Sequence, residues 1–151
     1  MKKAAAILLA ISVLFLVGCS DSDGDVKKPK ETAVTVTTGD CFEINKLKGE
    51  DGNEKFSYTV KTHDGTVIES AVCANEPKVK PLNDDLLGVR FYTATDSFVR
   101  YYDIKAGRVS ASYFGAFWDN GTLLAYNDFE KSGKLIVRDI FDDNGYRYEK
   151  E

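Results

Sequence analysis

Three cysteines, one histidine and several neighbouring carboxylates are the residues of this 151-residue chain whose types could do chemistry. A nucleophile–imidazole–carboxylate relay would need His63 as its base, because the chain has no other histidine. His63 sits beside Asp64-Gly65, a hairpin-turn dipeptide whose side chains are expected to face water. No Gly-x-Ser-x-Gly elbow, phosphate loop, dinucleotide fingerprint or zinc spacing occurs, so the sequence implies no cofactor and no metal. Carboxylate pairs exist at Asp84/Asp85, Asp142/Asp143 and Asp128/Glu130. Two carboxyls could serve as acid and base on a glycoside. Adjacent residues on a strand point to opposite faces, however, and acidic turns are ordinary.

Aromatic residues are dense between positions 91 and 126: Phe91, Tyr92, Phe98, Tyr101, Tyr102, Tyr113, Phe114, Phe117, Trp118 and Tyr126. On a two-faced strand one of Tyr101 and Tyr102 must point outward, and likewise one of Phe117 and Trp118. An exposed row of rings near Arg90, Arg100 and Arg108 would suit a protein or a sugar polymer. The plainer reading is that two sheets each bury an aromatic face. Tyr101, Tyr102 and Trp118 are the binding candidates if the face is exposed.

The elements that position these residues begin with a leader. Lys2 and Lys3 precede an apolar run from Ala4 to Val17, too short for an ordinary membrane span. Leu16-Val17-Gly18-Cys19 follows. This layout resembles the bacterial lipoprotein signal, Leu-x-Gly/Ala-Cys. The resemblance implies cleavage before Cys19, acylation of its thiol (palmitate-type chains) and a membrane partner reached through that lipid. Ser20 rather than Asp after the lipid cysteine implies the outer membrane, facing the periplasm, in a Gram-negative host. Residues 1–18 are then the signal peptide. Residues 19–32 form a polar tether, whose Asp21, Asp23 and Asp25 lack the glycine and glutamate of a calcium loop. Residues 33–151 make one β domain.

Lipidation of Cys19 leaves Cys41 and Cys73. In an oxidising compartment an even pair reads as a disulfide. It would close a loop of roughly 30 residues and contribute about 3 kcal/mol in the chain-entropy model. A bonded Cys41 would not be a nucleophile.

From Ala33 onward the dominant period is two. Val34-Thr35-Val36, Phe56-Ser57-Tyr58-Thr59-Val60 and Ser97–Ile104 alternate, and Gly65, Gly107, Gly121, Gly133 and Gly145 punctuate them. No amphipathic helix is present; Asn83–Leu87 reads as a turn after Pro81. The fold class is all-β and antiparallel: a sandwich, small barrel or meander of nine or ten short strands with one disulfide. Val99-Arg100…Asp103-Ile104 echoes Val137-Arg138-Asp139-Ile140, and Phe56–Val60 occupies a similar place upstream. Three such units are too few to close a propeller ring. Residues 90–151 also resemble the ends of small bacterial lipoproteins that bring no function with them.

Twenty Lys+Arg against 24 Asp+Glu give a net charge of −4, with no basic run, which argues against a nucleic-acid partner. The expected role is a non-enzymatic, membrane-anchored binding module for an envelope protein or polymer. The alternative is a hydrolase of envelope material using a carboxylate pair such as Asp142 and Asp143.

Overall fold

A computed structural model describes residues 32–49, 52–128, 133–142 and 146–150. Thirteen antiparallel strands lie in these segments, with no helix among them. They form three successive meanders. The first sheet holds β1 (Thr32–Gly39), β2 (Phe42–Lys48), β3 (Glu54–Lys61) and β4 (Val67–Cys73) in that order. The second holds β5 (Lys78–Asn83), β6 (Leu86–Tyr92) and β7 (Ser97–Asp103), with β8 (Arg108–Val109) and β9 (Tyr113–Phe114) both paired to β7. The third holds β10 (Ala116–Asp119), β11 (Leu123–Asp128), β12 (Lys134–Asp139) and β13 (Tyr146–Lys150). The all-β expectation therefore holds. Of the architectures considered, the structure is the meander, and no barrel closes. The echoing segments fall on β3, β7 and β12, the third strand of each meander, so the echo marks a repeated hairpin unit.

The second sheet is the middle layer, buried on both faces. Alternation along β6 sends Leu87, Val89 and Phe91 towards the first sheet, where they meet Ile44, Tyr58 and Val60. Leu86, Val99, Tyr101 and Tyr113 point the other way, onto Ala116, Leu124 and Ile140. Polar groups cross both interfaces. Tyr102 donates to Glu69 at 2.5 Å, and the Arg100 guanidinium donates to the same carboxylate at 2.6 Å. On the far side Tyr101 donates to Asp119 at 3.3 Å, Tyr113 to the Ile140 carbonyl at 2.7 Å, and Arg90 to the Ala116 carbonyl at 2.8 Å. Gly88 lies opposite Tyr101 in the ladder; a Cβ there would stand 3.4 Å from the Tyr101 ring. The ring therefore packs directly over the glycine.

Two expectations are corrected by this layering. Neither Tyr101 nor Tyr102 faces water: they are 1% and 0% exposed. The in/out rule assumed one solvated face, and here both faces are covered. The disulfide is also absent, for Cys41 and Cys73 are free thiols. Phe42 pairs with Val60 and Cys73 with Phe56, so the two cysteines sit at opposite ends of the sheet. Four residues of strand separate those levels by roughly 13 Å, whereas a disulfide needs Cα atoms within about 7 Å. Strand count rises from ten to thirteen because β5 and β10 were not expected and the 108–114 segment splits into β8 and β9. Pro81 hides β5. It is tolerated because β5 is an edge strand and its pairing shifts between Pro81 and Asn83.

Removing the Tyr102 hydroxyl (Tyr102→Phe) is expected to lower unfolding stability by about 2 kcal/mol in a denaturant melt, while Thr59→Val on the outer face changes it little. Burial, then the Glu69 bond, raises the Tyr102 phenol pKa; burial, then Asp119, raises that of Tyr101. The unfolded chain sheds these protons near pH 10 while the folded chain keeps them. The phenols' contribution is therefore complete below that pH and erodes above it. Melting midpoints measured at pH 9 and pH 11 should fall in that order.

Candidate functional site

A meander returns alternate turns to the same end. The β1–β2 and β3–β4 turns of the first sheet accordingly converge, the β5–β6 turn of the second sheet meets them, and each delivers one side chain: Cys41, His63 and Asp85. The Cys41 Sγ lies 3.5 Å from His63 Nδ1, and His63 Nε2 lies 3.0 Å from Asp85 Oδ1. Backbone bonds fix all three turns. Lys61 donates to the Cys41 carbonyl at 2.8 Å, Thr62 to the Thr66 carbonyl at 2.8 Å, and Ile104 to the Asp85 carbonyl at 2.8 Å. Gly65 supplies the φ of 88° that this tight turn requires. The Asp64 carboxylate accepts from the Thr62 hydroxyl and from the Thr66 amide, and these bonds hold its pKa below the ordinary carboxylate range.

The three groups form a thiol, a base and an orienter within hydrogen-bond reach, the arrangement that activates a nucleophile. The thiol itself is not pre-ionised. Burial, then the neighbouring Asp40, raises its pKa, and His63 Nδ1 is the nitrogen placed to receive its proton. Cys41 is 6% exposed and lines a cleft of about 530 Å³ with Asp40, Phe42, Pro81, Asp84 and Ile104. His63 faces outward, as expected for a turn residue, yet both its nitrogens are engaged. Among the described residues, no cluster of histidine, cysteine and carboxylate could hold a metal ion.

Cys73 differs in kind. Its thiol donates to the Asn75 carbonyl at 3.1 Å and the Phe56 carbonyl at 3.5 Å, and burial raises its pKa. Of the carboxylate pairs, Asp84 is exposed and Asp85 is held by His63. Asp143 and Glu130 lie outside the described residues, as does Cys19 with its entire leader.

Trp118 alone of the three binding candidates is on the surface, 46% exposed. Asp119 faces the middle sheet, where it meets Tyr101, so Trp118 points to the outer face of the third sheet. The ladder sets Trp118 opposite Ala125, Ala125 opposite Val137, and Val137 opposite Tyr148, which is 50% exposed. Leu123 and Leu135 flank this row on the same face, Leu123 opposite Asp139 and Leu135 between Asn127 and Lys150. The neighbouring Phe117 is also exposed, because the pairing shifts between Ala116 and Trp118 and breaks the alternation. The first sheet's outer face contrasts with this one. Glu43, Thr59 and Ser70 form one row there, Asn45, Ser57 and the exposed Val72 a second, and Ala33, Leu47 and Lys55 a third, with no aromatic ring among them.

No family model matches the chain, and neither a curated protein nor a solved structure matches it.

Denatured, non-reduced protein is expected to take up one alkyl group at each of Cys41 and Cys73 on treatment with iodoacetamide. Mass spectrometry reads the result, and a species carrying neither group would mean that the two are bonded.

Proposed function

We propose that this chain is a lipid-anchored protein of the cell envelope, and that it binds a partner protein through the outer face of its third sheet. The single observation that carries the binding reading is the row Trp118–Ala125–Val137–Tyr148, apolar across four strands with a polar margin. Interfaces use such apolar patches anchored by aromatic rings with polar groups beside them, and here the rings stand on the two edge strands. The rows on the opposite outer face of the same stack carry polar and aliphatic residues but no aromatic ring, so exposed rings are not simply what an end sheet of this protein carries. Aliphatic side chains separate the two rings. A sugar polymer would call for hydrogen-bonding groups between them, so an apolar protein surface is the better fit.

The anchor rests on the basic leader, the apolar run and Leu16-Val17-Gly18-Cys19. Thioether- and amide-linked acyl chains at Cys19 would hold the protein durably, and the residues between Cys19 and β1 would let the stack reach its partner from the membrane. The role is stoichiometric binding, with no substrate turned over.

Cells producing the native chain should incorporate labelled palmitate into it and keep it in the membrane fraction; Cys19→Ala should do neither. Crosslinking from those membranes is expected to recover one protein in near-equal amount. Trp118→Ala or Tyr148→Ala should weaken that association by about 2 kcal/mol, roughly 30-fold in Kd. Undiminished recovery with both variants would move the site elsewhere. Retention on purified envelope polymer, with no protein recovered, would replace the partner class.

A further inference from the structure

We infer that Cys41 is a site of thiol–disulfide exchange, where the chain takes up half of a small, neutral or cationic disulfide as a mixed disulfide. Three turns that are far apart in sequence bring the thiol, an imidazole and a carboxylate into one line. A carboxylate can only accept, so the His63 Nε2 proton is committed to Asp85. That leaves the Nδ1 lone pair facing the Cys41 sulfur. The site is therefore set to take the thiol proton at the moment sulfur attacks.

The surroundings choose the reaction class. An acyl substrate develops an oxyanion that needs hydrogen-bond donors or a positive charge. The cleft around Cys41 is bordered instead by Asp40 and Asp84, with no lysine or arginine in its lining. Exchange with a disulfide keeps the developing charge on sulfur. His63 Nδ1 takes the Cys41 proton as Sγ attacks the nearer sulfur of R–S–S–R. The Sγ–S bond forms and the reagent's S–S bond breaks. The departing thiolate takes the proton from His63 and leaves as R–SH. Cys41 is oxidised, the reagent is reduced, and no other redox partner is required. The acidic border disfavours an anionic reagent and favours an amine-bearing one. Cys73 provides an internal comparison, since its sulfur meets two carbonyls and no base.

The test uses the purified, reduced chain treated with cystamine, with peptide mass spectrometry following each cysteine separately. Cys41 should acquire cysteamine at least tenfold faster than Cys73. His63→Ala should slow Cys41 by roughly 100-fold, the size of a lost general base. The Cys73 rate should stay the same, which also reports that the fold is intact. Asp85→Asn should slow Cys41 by a smaller factor. Oxidised glutathione, which is anionic, should react more slowly than cystamine. Equal rates at Cys41 and Cys73 in the native fold, or a His63→Ala rate equal to that of the native chain, would overturn the site. Equal rates with the two reagents would overturn the charge selection.

Discussion

The structure depends on burying both faces of one sheet. Two consecutive tyrosines on β7 make this possible. Tyr102 turns towards the first sheet and Tyr101 towards the third, and each buried hydroxyl ends on a carboxylate of the sheet it meets. Burying a phenol without a partner would forfeit a hydrogen bond, so each tyrosine requires its neighbouring sheet to be in register. Glu69 in turn is a carboxylate at a sheet interface, held there by Tyr102 and Arg100 together. A lone carboxylate so placed would be costly. The three meanders are thus coupled through the middle one. Neither outer sheet could peel away without exposing a tyrosine face and breaking that tyrosine's bond to a carboxylate.

Much of the local structure was legible in the residues themselves. Period-two alternation and glycine turns marked the antiparallel strands, and the Val-Arg…Asp-Ile echo fell on the third strand of the second and third meanders. What escaped was whatever depends on how many layers stack. Adjacent aromatics on a strand read as one inside and one outside only if one face is wet. Tyr101 and Tyr102 break that reading because both faces are dry. Phe117 and Trp118 break it in the opposite sense, through a shift in pairing that leaves both exposed. The cysteine pair failed for a geometric reason. Counting cysteines says nothing about which end of a sheet each occupies, and Cys41 and Cys73 occupy opposite ends.

The reactive end could have been found by one pattern. Cys41, His63 and Asp85 are separated by 22 residues at each step. From Cys41 to His63 such a step spans β2 and β3 and returns to the same end of the first sheet; from His63 to Asp85 it spans β4 and β5 and passes into the second sheet. His63 was rightly expected in a turn, but the turn's neighbours were not visible from its own hairpin. The outer faces show a similar division. Strand alternation could propose that Trp118 faced outward, yet its row with Val137 and Tyr148 exists only once register is fixed. The proposed binding surface and the inferred thiol site are therefore separate consequences of one topology. The stack places one on a terminal sheet face and the other at a cluster of turns.

Hydrogen exchange followed by peptide mass spectrometry tests the coupled stack most directly. Amides of β6 and β7 should be the slowest in the chain, exchanging only with global unfolding. Those of β1, an edge strand exposed along its whole length, should exchange first. If β7 exchanged as fast as β1, the middle sheet would not be covered on both faces, and the pinning roles of Tyr101 and Tyr102 would be contradicted.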